Sequence, residues 1–175
     1  KPSMARSIRD MLEKNYAVNW TAKKSYYESD DYILTSFCGH LYHAITPDQY
    51  HDKWAGKWNL ENLPILVDKL KYEYLDKTAS QKSASSWGNF LHTLSNQCDL
   101  IINACDTDRE GEAIFRIWHS YVGCDKPVKR LWSVSEEIFD LVKAWQDLKP
   151  SSQYDNLFAA QQLRSLSDWL VGMNA

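Results

Sequence analysis

Apolar residues recur at helical spacing in five stretches of the chain and at strand-like density in four others. Met4, Ile8, Met11 and Leu12 follow an i, i+4, i+7, i+8 stripe, and Ser3 stands where a helix cap would be expected. Trp87, Phe90, Leu91 and Leu94 predict a second helix. Ile114, Ile117, Trp118 and Tyr121 predict a third, which Gly123 closes. Ile138, Leu141, Val142 and Trp145 line a fourth, begun by Ser135 with Glu136 and Glu137 in its first turn and stopped by Lys149-Pro150. Ser152 and Asp155 have the spacing of a capping box ahead of a fifth stripe, Ala159, Leu163, Leu166 and Leu170.

The strand candidates are residues 32–38, rich in aromatic and β-branched side chains, the alternating stretch 69–75, the apolar run 99–104, and 127–134. Residues 48–63 are irregular and aromatic, with Tyr50, Trp54 and Trp58, and 77–86 are a Ser/Lys/Ala-rich surface linker. Helices alternating with strands from 87 onward predict βαβ units, hence an α/β fold with a mostly parallel sheet covered on both faces. In such sheets ligands gather beyond the carboxyl ends of the strands. Two unusual segments fall at such ends, Gly39-His40-Leu41 and the stretch Cys105 to Glu112.

A chain of 175 residues suits one well-buried domain with part of a second. With 44% hydrophobic and 25% charged residues its composition is that of a globular protein, and a net charge of −3 excludes a wholesale cationic wrapper of nucleic acid. A local basic groove remains compatible with that total. The 8 Trp and 10 Tyr offer aromatic surface for a core or for stacking on bases. Cys38, Cys98, Cys105 and Cys124 form no Cys-x-x-Cys pair and read as reduced thiols of an intracellular protein. No apolar run approaches the roughly 20 residues that a bilayer requires, and no signal peptide is evident.

The stretch Asp106-Thr107-Asp108-Arg109-Glu110-Gly111-Glu112 puts four carboxylates into seven residues directly after an apolar strand. On an extended segment Asp106 and Asp108 point the same way, so their charges repel unless a cation or base lies between them. Hard carboxylate oxygens suit Mg²⁺, which keeps most of its waters and takes one or two protein ligands. The alternative is an acidic, solvated turn. For His40 the alternative is a surface imidazole after a strand, and for Arg164 a helix-surface ion pair with Asp168 at i+4.

Five segments occur in a telling order: Lys1-Pro2-Ser3-Met4-Ala5, Gly39-His40-Leu41, Trp58-Asn59-Leu60-x-x-Leu63-Pro64, Asp106 to Glu112, and Asp168-Trp169-Leu170-Val171-Gly172-Met173-Asn174. Together they resemble the N-terminal part of type IA DNA topoisomerases, most closely the topoisomerase III branch. The acidic turn alone matches the wider Toprim family, which includes nucleases and primases. The resemblance spans nearly the whole chain. It implies a Rossmann-like Toprim domain over residues 1–134, followed by a helical pair, 135–175, that opens the next domain.

The resemblance also implies roles. Asp106, Asp108 and Glu110 would hold Mg²⁺, with Mn²⁺ as a substitute, and Arg109 would meet a DNA phosphate. His40 would lie near the cleavage site, and Lys1, Arg164 and Asp168 would belong to the surface that holds single-stranded DNA. The nucleophilic tyrosine sits in a later domain of this family and forms a 5′-phosphotyrosyl link, so the chain by itself is expected not to cleave DNA. No ATP is needed, and the sequence has no Gly-x-x-x-x-Gly-Lys-Ser/Thr loop. The expected setting is the cytoplasm, at the nucleoid.

In this family a glutamate ending a central first strand precedes the Lys-Pro-Ser segment. The sequence opens at Lys1. The expectation is therefore that the natural protein starts several residues earlier, or that something else fills that slot. The readings left beside the topoisomerase are a Toprim nuclease or primase and a non-catalytic DNA-binding module.

Overall fold

Pro2 opens the first helix, α1 (Pro2–Tyr16), at a position where its missing N–H costs nothing and its fixed φ suits a helix start. Lys1 is the capping residue, without a side-chain hydrogen bond. Ser3, the expected cap, lies two residues inside, in the first turn, and its hydroxyl donates to Glu136 Oε1 at 3.0 Å instead. The stripe holds: Met4, Ile8, Met11 and Leu12 are all buried. The computed structural model describes residues 1–37, 39–57, 59–75 and 83–175. Cys38, Trp58 and most of the predicted linker 77–86 lie outside the described residues.

Next comes an antiparallel meander of β1 (Thr21–Ala22), β2 (Tyr27–Glu28) and β3 (Ile33–Leu34). The long strand expected over 32–38 is thus reduced to β3, because Phe37 turns away to pack edge-on against Phe115 and Trp118. β4 (Tyr42–Ala44) pairs antiparallel with β5 (Tyr72–Tyr74), a shortened version of the strand expected at 69–75. Three 3₁₀ turns, Pro47–Gln49, Asp52–Trp54 and Leu60–Asn62, fill the intervening segment. α2 (Ala84–Ser95) is capped by the Ser83 hydroxyl, which accepts from the Ser86 N–H.

The predicted βαβ unit is present: β6 (Ile101–Asn103), α3 (Arg109–Tyr121) and β7 (Val128–Arg130), with β6 and β7 parallel. Gly123, at φ +63°, ends α3 in the left-handed conformation that a glycine takes most readily. The rest of the sheet departs from expectation. After α4 (Ile138–Gln146), β8 (Lys149–Pro150) joins β7 antiparallel, so Lys149-Pro150 is a strand rather than a bare stop. Among the described residues β6–β7 is the one parallel pair, and a mostly parallel sheet is not what forms. β1, β2 and β3 are joined by connections too short for a crossover and pair as hairpins, whereas β4–β5 and β7–β8 run antiparallel across long connections.

Helix starts also differ from the sequence signals. α4 is capped by Glu137, while the Ser135 hydroxyl accepts the Glu137 N–H from just outside the helix. α5 (Asp155–Asn174) has no side-chain cap, because Asp155 pairs with Arg116 instead of completing a capping box. Its predicted stripe is not the buried face either. Leu163 is 66% exposed, and Trp169 is the buried residue, fixed by donation of its indole N–H to the Ile45 carbonyl at 3.1 Å. That bond, together with the Arg116–Asp155 pair, sets the helix's rotation. In α3 the inward face likewise centres on Ala113, Phe115 and Trp118 more than on Ile114 and Ile117.

Two apolar clusters result. One joins α1 and α4 through Met11, Leu12, Leu131 and Leu141. The other gathers Leu41, Tyr42, Trp87, Leu91, Phe115 and Trp118. β6 lies between them: Ile102 and Ala104 pack on the first, Ile101 and Cys105 on the second. Such alternation is what a strand covered on both faces requires. It brings the end of β6, and the acidic turn after it, out between two packed layers.

Candidate active site at the end of the central strand

The turn begins with Asn103, only 1% exposed, whose side-chain oxygen accepts the Cys105 N–H at 3.0 Å and bends the chain out of the strand. Asp106 follows, with Oδ2 2.8 Å from the Lys1 ammonium at the head of α1. The hydrogen bond that Lys1 donates to Asp106, and the charge of that carboxylate, raise the pKa of Lys1. Asp108 is extended and caps α3, its Oδ1 accepting the Gly111 N–H at 2.6 Å. Acidic groups in this first turn are favoured by the unpaired N–H groups and the helix dipole.

Glu110, 63% exposed, points away from the aspartates to His40, whose Nε2 is 2.7 Å from Glu110 Oε1. An ionised carboxylate only accepts, so the imidazole donates. Gly39, at φ +83°, makes the turn that presents His40. Arg109 is exposed and has no ion-pair partner among the described residues. Arg164 and Asp168 form the i, i+4 pair that the sequence allowed, loosely, at 3.7 Å and with both side chains largely exposed.

His40, Glu110, Gln161, Ser165 and Asp168 line one groove of about 380 Å³ between α3, β4 and α5. The structure therefore brings together three of the predicted site residues, His40, Glu110 and Asp168, across that groove. Lys1 joins Asp106, and that pair, Arg109 and Arg164 stand outside its lining.

The fit to a divalent cation rests on the donor set. Asp106, Asp108 and Glu110 each have one oxygen engaged, by Lys1, Gly111 and His40 respectively. Among the described residues no three His, Cys, Asp or Glu side chains converge closely enough to cage a metal. Mg²⁺ does not need a cage, since one or two carboxylates and several waters satisfy it. Asp106 and Asp108 supply hard oxygens of that kind, and the Lys1 ammonium already stands in for a cation on Asp106. Glu110 keeps Oε2 free of partners among the described residues while Oε1 stays on His40.

Behind the turn lies a cluster that the motif reading did not single out. Glu112 and Arg130 are both 0% exposed and paired, Arg130 Nε lying 3.0 Å from Glu112 Oε2. Arg116 Nε meets Glu112 Oε1 at 2.7 Å, and its Nη1 reaches Asp155 Oδ1 at 2.6 Å. The i, i+4 spacing of Glu112 and Arg116 was the signal available in the sequence. The three described cysteines, Cys98, Cys105 and Cys124, are free thiols, and burial pushes Cys105 up to about 11, against the pull of Arg130. No helix among the described residues is long and apolar enough to cross a membrane.

No family model matches the chain. Over its whole length it is similar to proteins named DNA topoisomerase 3. It is 39% identical over 176 residues to those of Staphylococcus aureus strains USA300 and NCTC 8325 / PS 47, and equally to a "Putative DNA topoisomerase 3" of strain bovine RF122 / ET3-1. The chain spans 23% of the length of these relatives. The resemblance seen in five short motifs therefore extends across the whole chain.

Proposed function

We propose that this chain is the Toprim-bearing part of a type IA DNA topoisomerase and supplies its Mg²⁺ platform for reversible cleavage of one DNA strand. The observation that carries this reading is the meeting of His40 and Glu110, 70 positions apart, on the rim of a groove that Asp168 also lines. Two motifs that resemble the family separately here share one site. Residues 1–134 would form the Toprim unit and 135–175 the opening of the next domain.

In this reading single-stranded DNA lies along the groove. Arg109, exposed at the start of α3, neutralises a backbone phosphate, and Lys1 and Arg164 add positive charge beside the strand. Asp106, Asp108 and Glu110 would hold the cation. Such a cation, Mg²⁺ or Mn²⁺, would supply positive charge against the phosphate and the leaving 3′ oxygen. His40 orients Glu110 and stays within reach of the strand. The attacking tyrosine belongs to another domain of the parent, and the chain alone does not cleave. No nucleotide cofactor takes part, and the parent acts in the cytoplasm at the nucleoid.

Calorimetric titration with Mn²⁺ tests the platform. The chain should bind weakly, and joint Asp106→Asn and Asp108→Asn replacement should abolish the signal. Equal binding by both proteins would sink the metal role. Single-stranded DNA affinity measured across a salt series tests the groove, and a flat response would remove Arg109 and Arg164 as phosphate contacts.

A further inference from the structure

Arg130 sits on β7 with its side chain wholly buried, and its guanidinium faces the turn between β6 and α3. Nη1 donates to the Cys105 carbonyl at 2.7 Å and the Asn103 carbonyl at 3.0 Å, and Nη2 to the Asp106 carbonyl at 2.7 Å. Nε bonds Glu112 Oε2 at 3.0 Å, and the Leu131 carbonyl takes a further bond at 2.9 Å. Asn103 also reaches Glu112 Oε2, at 3.4 Å.

A buried guanidinium is tolerated only when its charge is paired and its donors are used, and here both conditions are met. The choice of partners is what matters. Three carbonyls of one turn converge on a single fork, which fixes the path of the chain into Asp106. The carboxylate on Nε belongs to α3, two residues beyond Glu110 and four beyond the cap Asp108. One side chain thus ties the Asp106 main chain to the first turn of α3 while touching none of the three candidate ligand carboxylates.

We infer that Arg130 is a positioning residue for the acidic turn: it sets the spacing of Asp106 and Asp108, and so their joint affinity for a divalent cation. The inference rests on the metal reading above. Lysine cannot replace this arginine, because an ammonium is a point charge without the planar fork that spans Glu112 and Asp106. Outer partners of metal ligands commonly change affinity by about 10–100-fold when altered.

The test compares Arg130→Lys with Leu141→Ala in the whole chain. Leu141 is equally buried but belongs to the α1–α4 cluster. Mn²⁺ affinity is read calorimetrically under conditions where both variants are folded by circular dichroism. Arg130→Lys should weaken Mn²⁺ binding by about tenfold or more, with faster amide exchange confined to residues 104–111. Leu141→Ala should bind as the parent does. Unchanged Mn²⁺ affinity in folded Arg130→Lys, or equal weakening in both variants, overturns the assignment.

If the parent chain itself binds no Mn²⁺, the metal reading fails, and Arg130 is judged on exchange alone. Loosening confined to 104–111 then upholds its hold on the turn, and unaltered exchange there refutes it. Should Arg130→Lys not fold, Glu112→Gln, which keeps the shape and removes the charge facing Arg130, must show the same pattern. Parental affinity and exchange in that variant overturn the inference.

Discussion

Gly111 in the first turn of α3 lies against the main chain of Asp106 so tightly that a β-carbon there would stand 2.8 Å from the Asp106 nitrogen and closer still to its carbonyl oxygen. Backbone cannot swing aside as a side-chain tip can. Gly111→Ala should therefore push the acidic turn off α3, at a cost of about 1–3 kcal/mol. Helix propensity alone would favour alanine by roughly 1 kcal/mol, so the sign of the change separates the two effects. Urea unfolding reads the stability, and a stabilised variant would show that the turn does not pack on α3 this way. Mn²⁺ affinity should fall alongside it.

Lys1 and Asp106 give a second prediction, with two opposed signs. The pair is exposed on the lysine side and screened by salt, so it adds little stability. Its interest lies in competition, since the ammonium holds an oxygen that a metal would take. Lys1→Ala should tighten Mn²⁺ binding at low salt, by about the few-fold expected of one exposed ion pair. The same change should weaken single-stranded DNA binding and lower its salt slope by about 1. Looser Mn²⁺ binding in this variant would mean that Lys1 supports the site rather than blocking it.

Much of this was legible because the buried face of a helix is written in its apolar spacing. α1 shows it most plainly, with the same four residues predicted and buried. The carboxylates and His40 were legible as types in order, though not as contacts. That Glu110 turns to His40 depends on Gly39 and on the course of β4, which apolar spacing does not encode. α5 was misread for a related reason: two polar anchors, Trp169 on Ile45 and Asp155 on Arg116, override its leucine stripe. Arg130 was not singled out, because a buried arginine is explained only by the carbonyls that surround it. Strand direction failed in two ways: the short loops of β1–β3 permit only hairpins, and the long connections before β5 and β8 return the chain antiparallel, which apolar spacing does not encode.

Tyr42 carries a pH-dependent prediction. Its hydroxyl is buried and, among the described residues, lacks a hydrogen-bond partner, while its ring stacks on Tyr74 at 4.7 Å. Burial, and then the neighbouring Tyr74, push its phenol above the usual tyrosine range. A folded-state pKa above the unfolded one means that the folded protein holds the proton longer. That contribution is complete below about pH 10, the ordinary tyrosine value, and is lost as pH rises through the folded-state pKa. Tyr42→Phe removes both the orphaned hydroxyl and the titration. At pH 7 it should be neutral or more stable by about 1 kcal/mol, and above pH 10 it should lose less stability than the parent. Urea midpoints at both pH values decide it; a variant clearly weaker at pH 7 would reveal a partner for the hydroxyl.

Asn174, in the last turn of α5, holds Ile65 as a neighbouring strand would. Its Oδ1 accepts the Ile65 N–H at 2.7 Å and its Nδ2 donates to the Ile65 carbonyl at 2.9 Å. One turn earlier Trp169 holds the Ile45 carbonyl, so the helix clamps both ends of the segment that carries the 3₁₀ turns. Among the described residues Gln49 and Tyr50 also tie the start of the segment to β5, the 69–71 backbone and Trp169, and Ile65 at its far end is only 3% exposed. Asn174→Ala leaves two backbone groups of Ile65 without their partner, a loss of about 1–3 kcal/mol for each group that stays buried. The consequence should be local, because α1, α3 and the central strand do not depend on this clamp. Limited proteolysis should then cut within residues 46–64 well before global unfolding, while α3 keeps its amide protection. Asn174→Asp keeps the acceptor, loses the donor and should fall between alanine and the parent. Cleavage spread evenly over the chain, or none within 46–64, would show that α5 does not anchor this segment.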